Sequence, residues 1–129
     1  MAYEISQAVK ITLVAAADLS TKQYYFVKLD NTGKAALCSG ATDKPIGILQ
    51  NAPVSGAEAE VVVSGGSKVI AGGTLDEGNS IGTDGNGKAV ALTQGTDTTK
   101  YIVGQVLSAG ASNEIVTVVI NAASAARGA

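Results

Sequence analysis

A turn-forming sequence that occurs twice constrains the fold of this chain more than any other feature. Residues 30–37 read Asp-Asn-Thr-Gly-Lys-Ala-Ala-Leu, and residues 84–91 read Asp-Gly-Asn-Gly-Lys-Ala-Val-Ala. Asp, Asn and Gly favour the Asx turns and left-handed backbone conformations of tight hairpins. In both places the turn residues lead into a short apolar run. Each copy therefore predicts the corner of a β-hairpin.

The segments around the two corners follow the same order in both halves of the chain. The matching segments are 15–19 with 71–75, 44–49 with 101–107, 53–57 with 108–112 and 59–63 with 114–118. The alternative is chance similarity, because Gly, Ala, Val and Thr dominate the sequence. The shared order favours a duplication, with half-repeats at about 11–64 and 66–120. Two copies are too few for a solenoid, so we expect the halves to close one core.

The composition predicts an all-β domain. The chain has 129 residues, 46% of them apolar but only 4% aromatic, with 16 glycines and no Trp. A core of Val, Ile, Leu and Ala on many short strands and turns fits these values. We expect a compact barrel-like or sandwich-like domain at 10–120, preceded by an N-terminal arm (1–9) and followed by a flexible C-terminal tail (121–129). The sequence does not choose between barrel and sandwich.

Three runs are the strongest candidate strands. Residues 24–29 (Tyr-Tyr-Phe-Val-Lys-Leu) have high β-propensity, and one face of that run is expected in the core. Residues 61–63 and 115–120 are apolar on both faces. A strand of that kind is covered on both sides, either by a second layer of the same domain or by another subunit.

The charge pattern argues against nucleic-acid and membrane partners. The net charge is −2, and the eight lysines and Arg127 form no basic stripe. No apolar run approaches the roughly 18 residues of a membrane span. The first residues lack the layout of a signal peptide, so we expect synthesis in a cytoplasm.

No constellation predicts catalysis, a cofactor or a metal site. The chain has no His, which removes the commonest general base and metal ligand. The single cysteine, Cys38, lies in an apolar run and is expected to be a small buried hydrophobe. Residues 82–88 resemble a phosphate-binding loop, but Ala89 follows where Ser or Thr is needed. The acidic residues near 76–86 lack the final Glu of a calcium loop.

The ordered set of motifs resembles the small capsid cement, or head decoration, proteins of tailed bacteriophages. The pieces that carry the resemblance are Phe-Val-Lys-Leu-Asp at 26–30, Pro-Ile-Gly at 45–47 and Asp-Gly-Asn-Gly-Lys-Ala at 84–89, followed by a Val-rich last strand. The resemblance covers most of residues 11–120. Each piece is turn chemistry plus a strand, so the order of the set is what makes it specific.

The resemblance implies a non-enzymatic virion protein. Such proteins assemble as homotrimers on the outer surface of a mature capsid, bind the major capsid protein and stiffen the shell. Exposed aromatic residues usually anchor interfaces. We therefore expect Tyr3 and Ile5 in the arm, or Tyr24 and Tyr25, to contact the capsid or a second subunit. The alternative for Tyr24 and Tyr25 is that one is core and the other surface within a single subunit.

A second functional class remains open from the sequence. A carbohydrate- or ligand-binding β module, such as an adhesin domain on a virion or cell surface, would fit the same strands and turns. The absence of Trp argues against it, because sugar sites usually stack on aromatic faces. An enzyme is the least favoured class.

Overall fold

The structure is a computed structural model that describes residues 8–129. Its strands are β1 (Ala8–Val14), β2 (Phe26–Leu29), β3 (Ala35–Leu37), β4 (Gly47–Leu49), β5 (Glu58–Ile70), β6 (Ser80–Thr83), β7 (Ala89–Ala91), β8 (Tyr101–Ile102), β9 (Gly104–Val106), β10 (Ile115–Asn121) and β11 (Ala126–Arg127). One short 3-10 helix, η1 (Ala122–Ser124), is the only helical element of the described residues. The predicted all-β class is confirmed.

One antiparallel sheet organises the molecule. Nine strands form it, in the order β3-β2-β4-β5-β10-β9-β6-β7, with β1 paired to β5 beside this path. The sheet curls into a half-barrel. The β6–β7 turn, at one end of the sheet, bonds to the start of β2, near the other end. A separate two-stranded sheet joins β8 and β11.

The same pairing scheme occurs twice, as the two predicted pseudo-repeated halves require. In the first half β2 pairs with β3 and β4, β4 pairs with β5, and β5 pairs with β1. In the second half β6 pairs with β7 and β9, β9 pairs with β10, and β10 pairs with β5. The long β5 is therefore the last strand of the first half and the first strand of the second.

Two apolar clusters cover opposite faces of the central strands. Phe26 and Val62 belong to the larger cluster, whereas their neighbours Val27 and Val61 belong to the smaller one. All four side chains are buried. Neighbouring residues of a strand point to opposite faces, so both faces are core. The expectation of a single core face for residues 24–29 was too narrow. The doubly apolar run 61–63 has both of its faces buried largely within one chain.

The strand predicted at 24–29 begins two residues later, at Phe26. Tyr24 has a φ of 67°, in the left-handed region, so the chain turns there instead of continuing an extended strand. The Tyr24 N–H donates to the Leu49 carbonyl (2.7 Å), and its carbonyl accepts from the Ile70 N–H (3.0 Å). These bonds to distant strands hold the turn.

Paired strands extend beyond the range 10–120 at both ends of the described residues. Ala8 and Val9, assigned to the arm, belong to β1 and pair with β5. Residues 121–129, expected to form a flexible tail, contain η1 and β11. Arg127 pairs with Tyr101, and the Gly128 N–H donates to the Lys100 carbonyl (3.0 Å). Gly128 allows a close approach there, since a Cβ on it would be 2.6 Å from the Asp97 carbonyl oxygen. The domain limits themselves stay predictions.

Candidate interaction surfaces

Tyr24 and Tyr25 lie at the contact between the two halves. Both are half-buried. The Tyr25 ring packs beside Gly87, since a Cβ built on Gly87 would be 3.3 Å from Tyr25 Cδ2. The Lys22 ammonium nitrogen is 5.0 Å from the centre of the Tyr25 ring, a cation–π distance. Part of each tyrosine stays accessible, and their roles as contacts remain predictions. Tyr3 and Ile5 lie outside the described residues.

The β6–β7 turn, residues 84–88, docks on the first half of the chain. The Phe26 N–H donates to the Gly87 carbonyl (2.7 Å). A Cβ on Gly87 would lie 2.7 Å from Leu37 Cδ1 and 3.2 Å from the Phe26 carbonyl oxygen. Gly87 also has a φ of 81°, so any other residue there would be both strained and crowded. We call this contact the internal seam.

The turn keeps its shape through an aspartate. Asp84 Oδ1 accepts from the N–H groups of Asn86 (2.8 Å) and Lys88 (2.9 Å). Asp30 Oδ1 accepts in the same way from Thr32 (2.8 Å) and Lys34 (2.9 Å) in the first half. These hydrogen bonds hold the pKa of the Asp30 carboxyl below its usual value. Both predicted hairpin corners are therefore Asx turns, and their acidic residues have a structural role.

Two cationic side chains lie close to the ring of Tyr101, a contact that the sequence analysis did not predict. Lys44 Nζ is 5.9 Å and Arg127 Cζ is 5.6 Å from the centre of its ring. Neither cation forms an ion pair with another residue of the range 8–129, where the recorded pairs are Lys28–Asp43 and Lys100–Asp97. No local motif could have revealed this cluster, because the residues come from three distant segments.

An apolar cleft of about 330 Å³ is bordered by one of these cations. Its lining residues are Leu29, Lys44, Pro45, Ile46, Ala122 and Ala123. Leu29 is 47% exposed there. The volume is near the lower limit of ligand pockets, roughly 300–1,000 Å³. The cleft has room for an apolar side chain of a partner, and Lys44 favours an acidic neighbour.

Cys38 carries the single thiol of the chain. Cys38 is fully buried, and burial raises the pKa of its thiol to about 12, so it holds its proton at neutral pH. Within residues 8–129, no group of three or more His, Cys, Asp or Glu side chains is placed to hold a metal ion. In the same range, no helix is long and apolar enough to cross a membrane.

Comparison with solved structures finds a similar fold in a bacteriophage protein. The crystal structure of the head fiber gp8.5 N base of bacteriophage phi29 superimposes with a TM-score of 0.67. The similarity covers 90% of this chain and 96% of that one, at 18% sequence identity. At this identity the likeness shows a shared fold. No protein-family model and no curated protein matches the sequence.

Proposed function

We propose that this protein is a structural virion protein that binds the outer surface of a phage capsid as a homotrimer and stabilises the shell. The observation that carries the proposal is the fold shared with a phage head protein over almost the full length of both chains. The ordered motifs of the sequence support the same class independently.

Weak contacts suffice for such a role when they act together. A single contact of about −4 kcal/mol corresponds to a millimolar Kd. In a trimer the first contact tethers the other two and raises their effective concentration. The proposed partner is the major capsid protein, and the proposed contacts are Tyr3, Ile5, Tyr24 and Tyr25. The cleft beside Lys44 adds a place for an apolar side chain with an acidic neighbour.

Co-sedimentation with capsids tests the proposal. Purified protein is mixed with expanded and with unexpanded shells of the parent virus after the native protein has been stripped off. We expect saturable binding to expanded shells, at a copy number divisible by three, and a delay in shell rupture on heating. No binding to either shell would overturn the proposal and direct attention to the ligand-binding alternative.

Surface variants then locate the contact. Tyr3→Ala/Ile5→Ala removes the arm side chains, and Tyr24→Asn removes an aromatic ring at a position where Asn tolerates a positive φ. Lys44→Ala empties one wall of the cleft. Thr98→Ala, at an exposed loop position, is the matched control. Unchanged binding by all of the first three would show that the contact lies elsewhere.

A further inference from the structure

The internal seam is not symmetric. Within residues 8–129 the hairpin turn of the second half docks on the first half, and the hairpin turn of the first half does not dock on the second. Two backbone bonds define it. The Phe26 N–H donates to the Gly87 carbonyl (2.7 Å), and the Ile70 N–H donates to the Tyr24 carbonyl (3.0 Å). The second half thus contributes its hairpin turn and the end of its first strand. The first half contributes residues 24–26, which we call its receiving segment.

Each group at the seam has an equivalent in the other half. Val27 pairs with Leu37 as Ile81 pairs with Ala91, and Phe26 faces Ile48 as Ser80 faces Gln105. Ala15 and Ala71 make the same parallel bridge, to Ala35 and Ala89. The equivalent pairs are therefore Val14 with Ile70, Tyr24 with Gly78, Phe26 with Ser80, Gly33 with Gly87 and Leu37 with Ala91.

The equivalent contact is not made within one chain. Among residues 8–129, the Ser80 N–H does not bond to the Gly33 carbonyl, and the Val14 N–H does not bond to the Gly78 carbonyl. A Cβ on Gly33 would meet nothing within 4 Å, in contrast to the crowded Gly87. Residues 31–34 are exposed, and Val14 is 43% exposed.

We infer that two copies of this chain associate head to tail by repeating the internal seam. The 30–34 turn and the end of β1 of one copy dock on residues 78–80 of the next. This inference rests on the proposed trimer and specifies how its subunits meet. It pairs the Ser80 and Val14 N–H groups with the Gly33 and Gly78 carbonyls, as their equivalents are paired within the chain.

The contact is heterologous, because it joins different surfaces of the two copies. Such contacts produce rings when the rotation closes and filaments when it does not. A ring of three chains would place six similar halves around one axis. The receiving segment of the second half is Gly78-Asn79-Ser80, whereas that of the first is Tyr24-Tyr25-Phe26. A segment that meets water in the free subunit is expected to be the more polar of the two.

Cysteine cross-linking distinguishes this arrangement from a symmetric one. Thr32→Cys places a thiol beside Gly33 without altering that glycine, and Ala91→Cys places one at the position equivalent to Leu37. Both sites are exposed. The native Cys38 is buried and stays unreactive. A short bis-maleimide is added to the full chain, free in solution and bound to capsids.

We expect cross-links between Thr32→Cys and Ala91→Cys proteins when they are mixed, and none when either is treated alone. The double variant should give a ladder that ends at three chains. Thr98→Cys mixed with Ala91→Cys is the control and should give none. Cross-links in a single variant alone, with none in the mixture, would overturn the inference, since they would bring identical residues of two copies together instead of the two different surfaces. The inference would also be overturned if the double variant gave no cross-links either free in solution or bound to capsids.

A blocking variant measures the same contact without chemistry. Ala91→Arg should raise the Kd of self-association about tenfold or more, because a large cation would occupy the place of the incoming turn. Thr98→Arg adds the same charge elsewhere and should change nothing. If the Ala91→Arg protein still assembles as a trimer and capsids bind that trimer, this inference fails while the proposed function stands. A monomer that binds no capsid would instead overturn the proposed function.

Discussion

The first half of the sheet carries Tyr24, Tyr25 and Phe26 where the second half carries Gly78, Asn79 and Ser80. The backbone treats the two segments alike, since Tyr24 and Gly78 both have a positive φ and both donate to the strand beside them, at Leu49 and Val106. Their surroundings differ. The first segment is covered by the 84–88 turn, and the second is not covered by the corresponding 30–34 turn. The covered segment carries aromatic side chains, and the uncovered segment carries no side chain at Gly78 and small polar ones at Asn79 and Ser80.

The halves agree wherever the backbone itself sets the requirement. Gly47 and Gly104 face a carbonyl oxygen of the neighbouring strand, at Val62 and Val119, so closely that a Cβ would collide with it. Asp30 and Asp84 close the same Asx turn. The two halves differ in side chains where burial differs, but they share the residues that their common hydrogen-bonding scheme requires.

The largest expected effect comes from an equivalent pair of which only the first-half residue is a buried ring. Phe26→Ala removes a fully buried ring and should lower the free energy of unfolding by about 3–5 kcal/mol. Ser80→Ala, at the equivalent position, should change it by less than about 0.5 kcal/mol. Urea unfolding measures both. Similar losses at the two sites would contradict the assignment of one segment to the core and the other to the surface.

The glycines facing a carbonyl test where the halves should behave alike. Gly47→Ala and Gly104→Ala should each cost about 3 kcal/mol, because the strand must move away to admit the methyl group. Gly33→Ala is the control: it has a positive φ and open space, so only backbone strain of about 1 kcal/mol is expected. If the Gly47→Ala or Gly104→Ala variant is as stable as Gly33→Ala, the sheet accommodates the added methyl group without the expected loss of stability.

Local chemistry explains which features the sequence revealed. The hairpin corners depend on residues within four positions of each other, and both were predicted. The start of β2 was missed because the positive φ of Tyr24 is held by bonds to Leu49 and Ile70. The pairing of Arg127 with Tyr101 and the cleft beside Lys44 were missed for the same reason. Their residues come together only when the sheet has formed, so no spacing of residues along the chain predicts these contacts.

The loops that follow β3 and β7 should differ in their response to acid. Asp43 is part-buried and accepts hydrogen bonds from Lys28 Nζ (2.8 Å) and the Ser39 and Gly40 N–H groups. Burial acts to raise the pKa of its carboxyl, but these bonds outweigh it and leave the pKa below the usual value. Asp97, in the second half, accepts from the Thr93 N–H (2.7 Å), a bond that also lowers its pKa, but its ion pair with Lys100 is longer (3.4 Å).

A lowered carboxyl pKa stabilises the folded state above the unfolded pKa, about 3.8, and that contribution disappears as the pH falls through the folded pKa. Asp43→Asn should therefore flatten the loss of stability below about pH 4. Asp97→Asn should flatten it less, because fewer hydrogen bonds and a longer ion pair favour the charged form of that carboxyl. Thermal unfolding between pH 2 and pH 7 gives both slopes. A larger change for Asp97→Asn would reverse the ranking of the two loops.

The smallest expected signal is the absence of a reaction at Cys38. The equivalent residue in the second half is Leu92, since each follows its edge strand and donates its N–H across the hairpin, to Phe26 and Ser80 respectively. Cys38 is fully buried and its thiol pKa is about 12, so a disulfide reagent at pH 8 should not label it until the chain opens. A cysteine at Leu92, which is 7% exposed, should label faster.

If Cys38 labels in urea well before global unfolding, the internal seam opens as a separate step, and the 84–88 turn leaves its receiving segment while the rest of the sheet stays paired. Labelling that coincides with unfolding would show instead that the seam and the core are one cooperative unit.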